Sequence, residues 1–178
     1  MMTKQEIRRK MRSILSFPPD VRGEKSARIC EQVRRLPAWE KALNVVLFAP
    51  QLREPDVELL WAHSERRRMI YPRIDMELLS LYSVESLFDL QPARWEIREP
   101  RALPEALVRP SEVDLILVPG VAFTAGGLRC GRGGGFYDRL LASLPATACK
   151  VGVCFAEQIV GEVPMEPHDL PVDAMVWG

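Results

Sequence analysis

Residues 115–141 read LILVPGVAFTAGGLRCGRGGGFYDRLL: an apolar strand, a loop with six glycines between residues 126 and 135, and the start of a helix. A strand that leads into a helix is the unit from which parallel α/β sheets are built. Ligands of such sheets bind beyond the carboxyl ends of the strands, which is where this loop lies. The loop carries Arg129 and Arg132, and Asp138 follows it. These side chains, with the N–H groups of the glycines, are suited to holding a polyphosphate and its metal ion.

Strands and helices alternate along the rest of the chain. This predicts an α/β fold with a mostly parallel sheet and helices on both of its faces. The predicted elements are helices from residue 3 to the prolines at 18–19 and over about 20–36, a strand at 44–49, a helix at 56–67, strands at 69–72, 79–84 and 115–118, a helix at 136–143, and strands at 150–155 and 174–177. Residues 86–112, rich in proline and charge, stay unassigned. The residues expected to face the core from the first three helices are Ile7, Met11, Ile14, Leu15, Ile29, Val33, Leu36, Val57, Leu60 and Trp61.

Size and composition predict a single domain spanning residues 1–178. Of the 178 residues, 47% are apolar and 27% are charged, as in soluble globular proteins. No apolar run approaches the ~20 residues of a membrane span, and the polar N-terminus lacks a signal region, so no membrane association is expected. The four cysteines form no CxxC pair and the chain has only two histidines. We therefore expect a cytoplasmic monomer with reduced thiols, and neither a zinc site nor a disulfide framework.

Charge is unevenly distributed, although the formal net charge is zero. Residues 3–35 hold ten Lys or Arg against four Asp or Glu, so this N-terminal arm is able to meet an anionic ligand. A solvated helix face gives the same composition. A regulatory or nucleic-acid-binding module built on the arm is a further alternative, but no nucleic-acid motif is present and the pI of about 6.7 argues against it. We expect no nucleic-acid partner.

The glycine loop fails both common phosphate-binding motifs. A dinucleotide fingerprint needs G-x-G-x-x-G, but Phe136 stands where the third glycine belongs, and a Walker A loop needs a Gly-Lys pair, which the chain lacks. The physical requirements of an anion site are still present: glycines that expose N–H groups, two guanidinium groups, and the positive end of a helix. A flexible turn with a helix-capping aspartate is the plainer alternative. The arginines and the aspartate at this spacing favour the phosphate interpretation.

Residues 127–138, GLRCGRGGGFYD, resemble the signature of the 5-formyltetrahydrofolate cyclo-ligase family, also called 5,10-methenyltetrahydrofolate synthetases. The VPG at residues 118–120 matches the end of the strand that precedes this signature. Weaker similarities occur in the family's order along nearly the whole chain: Lys4 to Arg8, Glu54, WEIREP at 95–100 and HDLPVD at 168–173. The resemblance implies an α/β sandwich like that of sugar-phosphate isomerases and CoA transferases.

The resemblance also implies a reaction. The family uses ATP and Mg²⁺ to convert a reduced folate, 5-formyltetrahydrofolate, to 5,10-methenyltetrahydrofolate, and it releases ADP and phosphate. The formyl oxygen attacks the γ-phosphate to give an N5-iminium phosphate, and N10 then closes the ring. No nucleophile on the protein is needed, so positioning and charge neutralisation are expected to supply most of the catalysis. A non-folate enzyme of the sugar-phosphate type on the same scaffold stays the alternative.

Roles for individual residues follow from the resemblance alone. It implies nucleotide contacts from Lys4, Arg8, Arg129, Gly131, Arg132, Gly133, Gly134, Gly135, Phe136 and Tyr137. It implies folate contacts from Ala49, Glu54, Trp95, Arg132 and Phe136, although a plain core role is an equal alternative for Trp95. Arg132 is the implied catalytic residue, and the implied metal ligands are Asp138 and Asp169. The chain departs from the family pattern in three places: Gly134 stands where relatives can carry lysine, Phe136 replaces the first tyrosine of a Tyr-Tyr pair, and Pro55 follows Glu54 where an aliphatic residue is usual.

Overall fold

A seven-stranded sheet forms the centre of the molecule, which a computed structural model describes over residues 2–178. The strands of the chain are β1 (Asn44–Val46), β2 (Arg68–Asp75), β3 (Leu78–Val84), β4 (Leu90–Pro92), β5 (Arg98–Pro100), β6 (Leu107–Val108), β7 (Leu115–Val118), β8 (Ala122–Phe123), β9 (Arg129–Cys130), β10 (Cys149–Cys154) and β11 (Ala174–Trp177). The central sheet has the order β11–β10–β7–β1–β2–β3–β6. Pairing is parallel from β11 to β2, and β3 and β6 are antiparallel to their neighbours. The predicted α/β fold with a mostly parallel sheet is confirmed.

Both faces of the sheet are covered. The α-helices are α1 (Lys4–Ile14), α2 (Pro19–Arg34), α3 (Pro37–Lys41) and α4 (Phe136–Ser143). Successive residues of a strand point to opposite faces, and Val45 and Val46 of β1 accordingly enter different core clusters. The cluster around Val45 includes residues of α1, α2 and α3, whereas that around Val46 includes Leu140 and Leu141 of α4. Because two hydrophobic layers bury the central strands, their sequences read as continuous apolar runs.

Two segments leave the sheet at the carboxyl ends of neighbouring parallel strands, β1 and β7. Residues 47–49, predicted as strand, continue β1 as buried chain, and the Leu47 N–H donates to the carbonyl of Ile70 at 2.9 Å. The segment after β7 folds back as the hairpin β8–β9 before it reaches the glycines at 131–135. The glycine-rich stretch is therefore a hairpin followed by a short loop.

The predicted helix over residues 56–67 was wrong in type and length. The structure has a 3-10 helix, Val57–His63, which begins after Pro55 and is capped by the Asp56 carboxylate. Side chains three residues apart align in a 3-10 helix, so Val57 and Leu60 both enter the core. Trp61 is half-buried, and its indole N–H donates to the hydroxyl of Tyr71 at 2.8 Å.

The predicted burial of Ile14 was also wrong, since its side chain is 40% exposed. It is the last residue of α1, and the chain then leaves the helical conformation at Leu15, which enters the core instead. Leu36 is partly buried against the core. The unassigned stretch 86–112 forms β6 and the hairpin β4–β5, strands of two or three residues that are too short for a periodicity to be read.

The four cysteines are free thiols, and three of them are buried. Burial raises the pKa of Cys30 to about 12, and the Asp56 charge acts in the same direction. Reduced thiols were expected. Because its thiol stays protonated at neutral pH, Cys30 is an unreactive core residue. Within residues 2–178, no helix combines the length and the apolar character needed to cross a membrane.

Candidate active site

A cavity of about 1380 Å³ opens at the carboxyl edge of the sheet. It lies between the segments that follow β1 and β7, with α1, the start of α4 and residues 164–170 closing its sides. Its wall includes every residue that the sequence associated with the nucleotide, the folate or the metal: Lys4, Arg8, Ala49, Glu54, Trp95, Arg129, Gly131, Arg132, Gly133, Gly134, Gly135, Phe136, Tyr137, Asp138 and Asp169. The structure thus brings these residues together, and their individual roles stay predictions.

The glycine loop leads directly into the N-terminus of α4. Gly135 occupies the N-cap position with φ of 65°, a left-handed conformation that favours glycine, and a Cβ there would lie 2.8 Å from Nη1 of Arg139. A Cβ on Gly131 would lie 2.8 Å from Nη1 of Arg129. With no side chain at these positions, the guanidinium groups of Arg139 and Arg129 can lie against the loop, beside the N–H groups of the helix terminus, which are able to bind an anion.

Three of the ion pairs in the cavity join two residues with predicted roles. Each joins a predicted phosphate-binding cation to a carboxylate predicted to bind the metal or the folate. Their N···O distances are all 2.6 Å: Lys4–Asp169, Arg129–Asp138 and Arg132–Glu54. The carboxylates are largely buried, and the opposite charges therefore stabilise one another more strongly than they would in water.

Lys4 and Asp169 stabilise each other's charge. Burial alone would lower the pKa of Lys4, but its hydrogen bonds to Asp169 and Glu166 outweigh burial and the pKa is raised. Burial acts to raise the pKa of Asp169, but the bond from Lys4 and the N–H of Glu166 bring the net direction down. Both groups are therefore charged at neutral pH, the states that suit binding to phosphate and to Mg²⁺.

Arg129 is the most enclosed cation of the cavity. Its side chain is 4% exposed and one nitrogen, Nη2, contacts Asp138. Its Nε–H is buried and has no acceptor in the described part of the chain. Buried donors are nearly always paired, so an orphaned donor in a cavity wall fits a residue whose acceptor is a ligand.

Arg8 is held at the same end of the cavity. Its Nε–H donates to the carbonyl of Gly131 at 2.9 Å, and its guanidinium lies 3.5 Å from the place of a Cβ on Gly133. The first helix thereby contributes two cations, Lys4 and Arg8, one turn apart on the same face. The positive charge of the N-terminal arm is thus partly directed into the cavity.

The predicted metal ligands lie near one another but do not form a closed metal site. Asp138 Oδ1 accepts from Arg129 and from the N–H of Leu170 at 3.4 Å, the residue that follows Asp169. Among residues 2–178, no group of three or more His, Cys, Asp or Glu side chains is placed to hold a metal ion. Such a pair suits Mg²⁺, which is usually held by one or two carboxylates with phosphate oxygens and water as its other ligands.

The other half of the cavity is mainly apolar, with polar groups from the turn at 51–54 and from Arg98 and Glu99 of β5. Phe48, Ala49, Pro72, Ile74 and Ile97 line this half. The turn at 51–54 presents the Glu54 carboxylate, whose Oε2 accepts from the N–H of Gln51 at 2.9 Å. Such a wall, with a carboxylate at one side, fits a flat ring system that carries N–H donors.

Trp95 lies at the rim of this half. Its side chain is 64% exposed, which excludes the alternative of a core role. It has φ of 56° and its carbonyl accepts from the side-chain amide of Gln51 at 3.0 Å. Left-handed backbone at a bulky residue persists where surrounding structure holds it, and such positions cluster at ligand sites.

Three contributors to the site were missed by sequence reasoning. Arg139 stacks on the Phe136 ring with 5.2 Å from guanidinium carbon to centroid, and it donates to the carbonyls of Gly134 and Glu77. Glu166 is a second acceptor for Lys4 at 3.2 Å, and Gln51 links Glu54 to Trp95. Only Arg139 could have been found from the sequence. It lies three residues after Phe136 in a predicted helix, and residues at this spacing are neighbours.

Known proteins match this chain, one of them over nearly its whole length. The model of the 5-formyltetrahydrofolate cyclo-ligase family matches residues 1–178. A probable 5-formyltetrahydrofolate cyclo-ligase from Schizosaccharomyces pombe is 30% identical, over 98% of this chain and 95% of its own. The 5-formyltetrahydrofolate cyclo-ligase of Escherichia coli K12 is 34% identical over 69% of each chain.

Solved structures of 5,10-methenyltetrahydrofolate synthetases also superpose on this chain. The NMR structure of Aquifex aeolicus 5,10-methenyltetrahydrofolate synthetase superposes with a TM-score of 0.86 at 33% identity, over 99% of this chain and 90% of that one. A 5,10-methenyltetrahydrofolate synthetase from Mycoplasma pneumoniae has a TM-score of 0.77 at 19% identity over 98% of each chain, a likeness that bears on the fold alone. The chain therefore belongs to the 5-formyltetrahydrofolate cyclo-ligase family and is an enzyme of that kind.

Proposed function

We propose that the chain converts 5-formyltetrahydrofolate to 5,10-methenyltetrahydrofolate at the expense of ATP, with Mg²⁺ as the metal. The observation that carries the proposal is the set of three cation–carboxylate pairs in one cavity, next to an apolar half suited to a flat ring. The formyl oxygen attacks the γ-phosphorus, the bond to the β-phosphate oxygen breaks, and ADP leaves. N10 then attacks the formyl carbon and loses its proton, and the former formyl oxygen departs in inorganic phosphate.

In this proposal the nucleotide lies against α1 and the glycine loop. Lys4, Arg8 and Arg129 donate to phosphate oxygens, and the backbone from Gly131 to Tyr137 surrounds them. Support comes from the orphaned Nε–H of Arg129 and from the guanidinium groups of Arg8 and Arg129 that lie against the glycines. Asp138 and Asp169 are the proposed ligands of Mg²⁺, which when bound neutralises part of the triphosphate charge.

The ion pairs explain why the cavity can contain several buried charged side chains when no ligand is bound. A buried charge without a partner is costly. With the nucleotide and its metal bound, phosphate oxygens would take the place of the carboxylates beside Lys4 and Arg129, and Asp138 and Asp169 would hold the metal. These four charged groups would then have partners both with and without ligand, and binding of nucleotide and metal would be mutually dependent.

The folate lies in the apolar half. Glu54 accepts hydrogen bonds from the polar edge of the pterin, while Ala49, Trp95 and Phe136 contact its faces. Arg132 lies between the two halves: its side chain is 54% exposed and its Nη2 contacts Glu54. A mobile guanidinium in this place can move to the transferring phosphoryl group and stabilise its charge.

We also propose that residues 1–178 act as one domain and as a monomer in the cytoplasm. The support for a monomer is that one chain supplies both halves of the cavity, from Lys4 to Leu170. The free cysteines fit a reducing compartment. A test of the reaction itself is the near-UV absorbance of the methenyl product: it should appear only with folate, ATP and Mg²⁺ together, with equal amounts of ADP released.

Lys4→Ala distinguishes this proposal from a sugar-phosphate-type enzyme on the same scaffold. Loss of a charge-assisted contact is expected to weaken ADP or ATP binding about tenfold to hundredfold, measured by titration calorimetry in Mg²⁺. Lys10→Ala, at an exposed position of the same helix, is the matched control and should bind nucleotide like the parent. Unchanged nucleotide affinity in Lys4→Ala would favour the sugar-phosphate alternative.

A further inference from the structure

One face of α2 forms hydrogen bonds to residues 51–56, the segment that carries Glu54. Arg22, Ser26 and Cys30 are spaced four residues apart and therefore lie on the same side of this helix. Ser26 Oγ accepts from the N–H of Asp56 at 2.9 Å, and the Cys30 thiol donates to the carbonyl of Asp56 at 3.4 Å. These bonds fix the end of the segment where it enters the 3-10 helix.

Arg22 holds the first part of this segment, the turn at residues 51–54. Its Nε–H donates to the carbonyl of Glu54 at 3.2 Å, and its Nη2 donates to the same carbonyl at 3.0 Å and to that of Gln51 at 3.3 Å. These are the carbonyls at the two ends of the turn that carries the substrate-binding carboxylate. The turn is also closed internally, since the Glu54 N–H donates to the Gln51 carbonyl at 2.9 Å.

The Glu54 carboxylate depends on this turn for its direction. Its Oε2 accepts from the Gln51 N–H at 2.9 Å, so a rotation of the turn would move the carboxylate. Arg22 is half-buried, lies behind the turn and is not part of the cavity wall. Any effect of Arg22 on the folate therefore passes through the 51–54 turn, whose Glu54 carboxylate is the group proposed to contact the pterin.

We propose that Arg22 is a positioning residue for folate recognition: its guanidinium fork holds both ends of the 51–54 turn and so aims the Glu54 carboxylate at the pterin. The inference rests on the proposed function, in which Glu54 contacts the folate. The planar fork is essential to it, because a lysine ammonium is a point charge on a flexible stem and does not hold two carbonyls in a fixed relation.

The test is a comparison of KM values in the purified full-length chain. Arg22→Ala is expected to raise the KM for 5-formyltetrahydrofolate about tenfold or more and to change the KM for ATP less than about twofold, because a small displacement of one binding group affects only the ligand it contacts. Arg28→Ala is the control: Arg28 lies on the same helix, its side chain is 72% exposed, and it forms a surface ion pair with Glu24 at 3.9 Å. Both KM values should be unchanged in this control.

Two further variants separate a positioning role from a general loss of structure. Arg22→Lys keeps the charge and should show an intermediate KM for the folate, which gives a reading even where the alanine variant does not fold. In a double-mutant cycle, Arg22→Ala should add little once Glu54 is glutamine, since residues that act through one group are not additive. Equal increases in both KM values, or fully additive effects with Glu54→Gln, would overturn the inference while leaving the proposed reaction in place. An inactive parent enzyme would instead overturn the proposed reaction and the inference with it.

Discussion

Arg132→Ala is expected to lower kcat about 10²- to 10³-fold while the KM values for ATP and folate change less than about threefold, because a group that meets developing charge acts mainly on the transition state. In the ligand-free protein Arg132 contacts Glu54 at 2.6 Å and its side chain is 54% exposed. It is thus the cavity cation with the most freedom to change partner. Steady-state kinetics with each substrate varied in turn provide the measurement.

Two variants make the Arg132 result interpretable. Arg132→Lys keeps the charge without the planar fork and should recover only part of the lost turnover. Arg53→Ala removes an exposed arginine from the same loop as Glu54, outside the cavity wall, and should behave like the parent. If Arg132→Ala raised both KM values with kcat unchanged, Arg132 would be a simple binding residue.

Asp138→Asn is expected to lower kcat about 10²-fold and to shift the Mg²⁺ dependence to higher concentrations, because the amide retains an acceptor but loses the charge that a divalent cation requires. The side chain lies in the first turn of α4, where its Oδ1 accepts from Arg129 at 2.6 Å. An asparagine oxygen can preserve that hydrogen bond and with it the fold. Turnover as a function of Mg²⁺, with thermal unfolding measured alongside, gives both quantities.

Asp173→Asn is the matched control for the loss of a carboxylate. Asp173 also pairs with a cation, Lys150 at 3.7 Å, but it lies outside the cavity wall. Its amide variant should keep the parental Mg²⁺ dependence. Full Mg²⁺-dependent activity in Asp138→Asn would show that this residue is no metal ligand.

The fold was predictable in segments where burial on both faces of the sheet requires apolar residues throughout. Leu115–Val118 is apolar throughout because helices cover both faces of the sheet, and such a run is easily recognised. The hairpin β4–β5 was not predictable, since each strand has only three residues and β4 and β5 both end in proline. The 3-10 helix at Val57–His63 has the same apolar spacing as a short α-helix, and periodicity does not separate the two over seven residues.

The site was predictable from the residues only where its groups are close in sequence. Arg129, Arg132 and Asp138 lie within one loop, and their chemistry indicates an anion site without further information. Lys4 and Asp169 are 165 positions apart, and no spacing rule joins them, so they entered through the resemblance to a family. Arg22 was missed because it binds backbone carbonyl groups. Every residue has such a group, so the sequence gives no signal for these contacts.

The fate of the formyl oxygen tests the proposed chemistry. 5-Formyltetrahydrofolate labelled with ¹⁸O in the formyl group is incubated with the protein, ATP and Mg²⁺, and the inorganic phosphate is analysed by mass spectrometry. Transfer of the γ-phosphoryl group to the formyl oxygen predicts one ¹⁸O atom in each phosphate released, in step with formation of the methenyl product. Unlabelled phosphate, or phosphate released at the same rate without folate, would contradict the proposed reaction.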